Sequence, residues 1–257
     1  MRKRHVGGYI VSIAWLLCTL SVWPADVKIR TTTLGFPSPN DPCLYDVDGD
    51  GRFEVVVSGV HGTVRAFELP SLRSLWKQTV GGTGLTAPAV GDFTGTGEPI
   101  IALASQQGEV VLLHGASGVP LAQYRLPRGV TVAPTVMPAE TYLGRVCDAL
   151  VLCDEVGDIH VLAFEQGQIV EKFLIPNNFA RGSLLPQGMG RINYPASVGD
   201  VDGDSRPEIV VGTALGKVVA LRPDRPNECY VWHGPQGSAI SSNIVIADFF
   251  GLGRNAL

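Results

Sequence analysis

Helical periodicity is missing from this sequence. Beyond residue 25, no window of 11–18 residues places its apolar side chains on one face of a 3.6-residue repeat, which removes helical folds from consideration. Basic runs are missing too. Lys and Arg number 20 against 24 Asp and Glu, and a mildly acidic chain without a basic stripe does not take nucleic acid as a partner. Catalytic signatures are equally thin. There is no Gly-x-Ser-x-Gly elbow. Gly81-Gly82-Thr83-Gly84 lacks the lysine and the spacing of a phosphate loop and reads as a turn. Histidine is scarce. His61, His114, His160 and His233 each sit beside a turn glycine or inside an apolar run, none at metal-ligand spacing from another.

What the chain does have is an acidic loop, written twice. Asp46-Val47-Asp48-Gly49-Asp50-Gly51-Arg52-Phe53-Glu54 runs straight into Val55-Val56-Val57. Asp200-Val201-Asp202-Gly203-Asp204-Ser205-Arg206-Pro207-Glu208 runs into Ile209-Val210-Val211. Carboxylates at positions 1, 3, 5 and 9 of a tight loop make a nest of hard oxygen donors, which is what Ca²⁺ requires. An EF-hand shares part of this spacing but needs a bidentate Glu at position 12 and flanking helices. Position 12 is Val57 or Val211, and both flanks read as strands.

Alignment on the first aspartate recovers further copies. Asp92-Phe93-Thr94-Gly95-Thr96-Gly97-Glu98 lies 46 residues after Asp46, and Pro138 opens a worn copy 46 residues later. Asp200 follows after 62 residues, and Asp248-Phe249-Phe250-Gly251-Leu252-Gly253 after another 48. Each full unit has a short lead-in strand, the loop, an apolar strand, a turn glycine (Gly62, Gly108, Gly157 or Gly216) and another strand. A last strand then carries an aromatic, Trp76, Tyr124, Phe173 or Trp232, read as equivalent positions that pack between units. Four short strands per 40–50 residues is the pattern of a β-propeller blade. The predicted fold is therefore all-β, with four full blades and a partial fifth. The units are approximately 39–85, 86–130, 131–191, 192–238 and 239–257.

Gly199-Asp200-Val201-Asp202-Gly203-Asp204 with Glu208-Ile209-Val210-Val211-Gly212 resembles the FG-GAP repeat, also called VCBS-type, of propellers such as the integrin α head. Gly216-Lys217-Val218-Val219-Ala220-Leu221 and Leu75-Trp76-Lys77 resemble blades of quinoprotein-like propellers. The resemblance spans residues 39–257. It implies one Ca²⁺ held by Asp46, Asp48, Asp50, Glu54 and the carbonyl of Arg52, and a second held by Asp200, Asp202, Asp204, Glu208 and the carbonyl of Arg206. At Asp92 the motif weakens, because Thr94 and Thr96 replace carboxylates and Ile100 takes position 9.

Residues 1–25 read as a signal peptide or N-terminal anchor. Arg2-Lys3-Arg4 precedes an uncharged apolar stretch from Val6 to Trp23, and Ala25 offers an exit. Eighteen apolar residues just span a bilayer, so residues 6–23 would be the only membrane contact if they are retained. Cys18 follows Leu16-Leu17 rather than a small residue, unlike a lipidation site. The propeller at 26–257 is thus expected outside the cytoplasm, where weak calcium sites fill. Cys147 and Cys153 flank one strand about 20 Å long, too far to pair, and the expected state of Cys43, Cys147, Cys153 and Cys229 is free thiol.

The third unit is longer than the 46-residue period by 16 residues, around 176–191. Phe179, Arg181 and Met189 are its candidate exposed contacts. Val27–Leu34 alternates like a strand and could complete the last blade; an incomplete ring is the other expectation. These features imply an exported calcium-binding propeller acting as a binding, adhesion or scaffold module, with a protein or glycan partner at the cell envelope. Two alternatives accompany it: a quinoprotein-like or polysaccharide-active enzyme, and a cell-envelope assembly factor.

Overall fold

The computed structural model describes residues 30–139, 147–178, 188–235 and 238–247. The expected leader at 1–25, much of the worn loop after Pro138, positions 179–187 of the insertion and the last turn from Asp248 lie outside the described residues.

Four antiparallel four-stranded sheets follow one another along the chain, each built in sequence order. The first holds β1 (Cys43–Tyr45), β2 (Glu54–Ser58), β3 (Thr63–Glu68) and β4 (Ser74–Thr79). The second holds β5 (Ala89–Gly91), β6 (Ile100–Ala104), β7 (Glu109–His114) and β8 (Pro120–Arg125). The third holds β9 (Thr135–Met137), β10 (Ala149–Cys153), β11 (Ile159–Glu165) and β12 (Gln168–Ile175). The fourth holds β13 (Ser197–Gly199), β14 (Glu208–Gly212), β15 (Lys217–Arg222) and β16 (Arg225–His233). Among the described residues no helix is long and apolar enough to cross a membrane.

The second strand of each blade is buried on both faces, which explains its unbroken apolar run. Ile100–Ala104, Ala149–Cys153 and Glu208–Gly212 are buried at every position. Neighbouring blades share the core between them. Val56, Val64 and Ala66 of the first blade face Ile101, Leu103 and Leu113 of the second. Ala102 and Leu112 then meet Leu150, Leu152 and Leu162 of the third. Val151, Cys153, Val161 and Ile175 meet Ile209, Val211, Val219 and Leu221 of the fourth. Hydroxyls of the buried Ser58 and the half-buried Thr135 stitch blades together as well. Ser58 Oγ donates to Thr86 O at 2.6 Å and Thr135 Oγ1 to Ala196 O at 2.7 Å.

The turn glycines have one shared reason. Gly62, Gly108, Gly157 and Gly216 have φ of +74°, +81°, +92° and +72°. A Cβ at each would approach a carbonyl oxygen of the onward chain to 2.4, 2.4, 2.4 and 2.2 Å. No other residue fits where the chain crosses this closely.

Every third-to-fourth-strand pairing also breaks register at the same place, after Ala66, Leu112, Val161 and Ala220. The pairing registers correct the aromatic alignment. Trp76 pairs with Ala66 and Phe173 with Val161, whereas Tyr124 pairs with Val110 and Trp232 with Val218. Two register positions, not one, carry the aromatics, and the residue equivalent to Trp76 in the fourth blade is Tyr230, opposite Ala220. Sequence spacing misses this because the hairpin turns differ in length.

Three more expectations meet the structure here. Met189 is fully buried and belongs to the core between the third and fourth blades, so it is not an exposed contact. Residues 30–34 are irregular rather than strand. The carbonyls of Thr33 and Leu34 accept from Arg65 Nη1 at 3.4 and 3.2 Å instead of from a neighbouring strand. Cys43, Cys147, Cys153 and Cys229 are free thiols, with Cys153 pushed up to about 12 by burial and by the charge of Asp154.

Candidate metal centre

Both acidic loops connect the first and second strands of a blade, Asp46–Phe53 in the first and Asp200–Pro207 in the fourth. Their backbones are closed by the same hydrogen bonds. The two oxygens of Asp46 accept from Gly49 and Gly51 at 2.8 and 2.9 Å, and those of Asp200 accept from Gly203 and Ser205 at 2.7 and 2.9 Å. Arg52 N donates to Asp50 Oδ1 and Arg206 N to Asp204 Oδ1, each at 2.8 Å. Glu54 and Glu208 are buried at the head of the second strand, where one oxygen of each accepts from Val47 or Val201 at 2.9 Å. One backbone difference stands out. Ser205 adopts φ +68° where the first loop has Gly51 at +86°, so the second loop places a side chain in left-handed geometry.

The loops gather carboxylates, but not the same ones. Oxygens of Asp46, Asp48 and Asp50 lie within 4.8 Å of one another in the first, with Glu54 outside that group. In the second the group is Asp200, Asp202 and Glu208, and Asp204 stands apart. Glu208 is 1% exposed, and its Oε1 is buried without a hydrogen-bond partner. Burial raises the carboxyls of Glu54 and Glu208 above their ordinary value, and repulsion from the three aspartates of each loop raises them further. An all-oxygen set with an orphaned buried carboxylate oxygen fits a hard divalent cation.

Asp204 is held by Arg222. The guanidinium is almost fully buried, and its Nη1 donates to Asp204 Oδ2 at 2.8 Å. Its Nε and Nη2 reach the two oxygens of Asp224 at 3.2 Å each. Tyr230 OH donates to Asp202 Oδ2 at 3.2 Å. Arg222 lies six residues past the turn glycine Gly216; six past Gly62 is Glu68, which takes Arg73 Nε and Ser71 Oγ instead. Neither Arg222 nor Tyr230 was singled out from sequence as part of a loop. The alignment of turn glycines contained the signal, but only the sheet shows that this strand end reaches the acidic loop.

The loop at Asp92 keeps the shape without the charge. Asp92 accepts from Gly95 and Gly97 at 2.8 Å each and from Thr94 Oγ1 at 3.2 Å, while Thr94 and Thr96 hydroxyls bond each other at 2.7 Å. Burial pushes the Asp92 carboxyl up, but these donors outweigh it and leave it below its ordinary value. The loop is internally satisfied.

A second charged cluster lies toward the second blade, on the third. His160 is 1% exposed, with Nδ1 2.5 Å from Glu171 Oε1 and Nε2 3.7 Å from Asp154 Oδ2. Arg128 Nη1 stands 3.5 Å from Asp154 and 2.8 Å from Asp158. Burial pushes the imidazole down, and the two carboxylates more than reverse it, so His160 titrates above its ordinary value.

No family model matches this chain, and no curated protein matches it significantly. Solved structures do. The β-propeller domain of Cps50 (Swd1) from Myceliophteria thermophila superposes with TM-score 0.57 at 13% identity, over 81% of this chain and 59% of that one. BBS1N in complex with ARL6DN gives 0.55 at 16%, over 76% and 57%. BamB from Moraxella catarrhalis gives 0.52 at 15%, over 78% and 51%. The chain thus spans between half and three fifths of the structures it matches. With four four-stranded antiparallel sheets and these neighbours, the fold is that of a β-propeller.

Proposed function

We propose that this chain is an exported FG-GAP/VCBS-type propeller whose two acidic loops bind Ca²⁺, and that it acts as a binding, adhesion or scaffold module. One observation carries the calcium reading. Glu208 Oε1 is buried without a hydrogen-bond partner, its carboxylate lies within 4.8 Å of oxygens of Asp200 and Asp202, and a cation bound there supplies the missing interaction. The ligands are Asp46, Asp48, Asp50, Glu54 and the Arg52 carbonyl in one loop, and Asp200, Asp202, Asp204, Glu208 and the Arg206 carbonyl in the other. Residues 1–25 serve as leader or anchor, and the partner is a protein or glycan at the cell envelope. The work assigned to the propeller is binding rather than catalysis.

Scaffolding is supported by the complex of BBS1N with ARL6DN, a propeller neighbour seated on another protein. The test of the calcium reading is a thermal melt with calcium and with chelator. Cation binding to the native state alone stabilises it by about 2.7 kcal/mol at a hundredfold excess over Kd. Equal melting under both conditions contradicts the reading. A pull-down of the exported chain from envelope extract, with and without calcium, identifies the partner.

A further inference from the structure

We infer that Arg222 sets the cation affinity of the second loop, acting as a resident positive charge that competes for Asp204; this rests on the calcium reading above. The two loops have the same carboxylates at positions 1, 3, 5 and 9 and the same closing hydrogen bonds. They differ in which carboxylates join the cluster: the fifth-position one, Asp50, in the first loop, the ninth-position Glu208 in the second. Asp204 does not join, and it is the one that receives a guanidinium N–H, at 2.8 Å. The strand end that supplies Arg222 in the fourth blade supplies Glu68 in the first, opposite Glu54 in register and paired with Arg73 at 3.1 Å, so an acid stands where the second loop has its guanidinium.

The guanidinium is built into this position. It is nearly buried, and Asp224 holds its far side through two contacts of 3.2 Å. Asp204 is therefore shared between a fixed monovalent cation and any ion in the loop. A divalent ion among Asp200, Asp202 and Glu208 meets two costs there. It draws Asp204 from a charge-assisted hydrogen bond, and it sits near a like charge that leaves only by unpairing Asp224. The unpartnered Glu208 Oε1 shows that Arg222 does not complete the site by itself. The second loop is thus the weaker of the two, and the first fills at lower calcium.

The experiment is calorimetric titration of CaCl₂ into the full chain carrying Asp48→Ala, which leaves the second loop to be read alone. Adding Arg222→Gln is expected to tighten that site about tenfold, a change of about 1.4 kcal/mol. Adding Arg222→Lys, which keeps the charge, is expected to leave it within about threefold. Equal tightening by both, or no tightening by Gln, overturns the proposal. If the Gln variant does not fold, Glu68→Arg in an Asp202→Ala background decides instead. It places the cation opposite the first loop, and an unchanged affinity there overturns the proposal. No calcium binding by the unsubstituted chain at either loop defeats the calcium reading itself, a different result from each of these.

Discussion

The loops at 46–54 and 200–208 are close to the same nine residues, yet the second holds a guanidinium on its fifth-position carboxylate while in the first that carboxylate joins the cluster. Around Asp46, Asp48 and Asp50 the strand end offers Glu68, an acid. Around Asp200, Asp202 and Asp204 it offers Arg222 and the hydroxyl of Tyr230. The His160 cluster extends the series, because there His160 and Arg128 stand directly against Asp154, Asp158 and Glu171. The lesson is that a metal motif fixes the geometry of the donors but not how strongly they demand a cation. That demand is set by whatever the neighbouring strand brings.

The buried His160 cluster should show the largest effect and the least dependence on calcium. Replacing His160 by Leu leaves two carboxylates without their partner and is expected to cost about 3–5 kcal/mol, equally in calcium and in chelator. Its pH signature follows from the raised imidazole. His160 contributes fully below its unfolded value of about 6.5, and the contribution is lost as pH rises through the higher folded value. Asp154 works oppositely. Burial raises it, but His160 and the amides of Asp158 and Val156 hold it below its ordinary value, so its share is lost as pH falls. Melting followed from pH 5 to pH 9 should show an alkaline decline that His160→Leu flattens.

The acidic loops come next. Asp48→Ala and Asp202→Ala should each remove calcium-dependent stability, about 2.7 kcal/mol or about 5–10 °C in Tm at a hundredfold excess over the Kd of the loop concerned, and at any one calcium concentration more for Asp48→Ala than for Asp202→Ala. Asp92→Ala serves as the contrast, since its loop is closed by Thr94, Thr96, Gly95 and Gly97. It should lower Tm by the same amount with calcium and with chelator. A calcium-dependent loss at Asp92 would break the comparison.

The smallest effect concerns the one backbone difference between the loops. Ser205 sits at φ +68° where the first loop has glycine, so Ser205→Gly should stabilise the chain by about 1 kcal/mol without moving calcium affinity more than about twofold. Urea unfolding in chelator checks it.

The blades and their acidic loops could be read from residues alone because each depends on local chemistry. A turn glycine such as Gly108 is demanded by one tight crossing, and a run such as Ile100–Ala104 by burial on both faces. Register was not legible. The unequal hairpins shift the aromatics, so Trp76 and Trp232 occupy different positions. The burial of Met189 was equally hidden, since it depends on the fourth blade packing over the insertion. Arg222 escaped for the same reason. Its role depends on which loop its strand end reaches, a fact of the sheet and not of any short window.

Titration of the unsubstituted chain with calcium, followed by calorimetry, tests the central claim most directly. The account predicts two unequal sites, the tighter one abolished by Asp48→Ala and the weaker one by Asp202→Ala. Two sites of equal affinity would contradict the role given to the strand ends, and no binding at all would contradict the calcium reading of both loops.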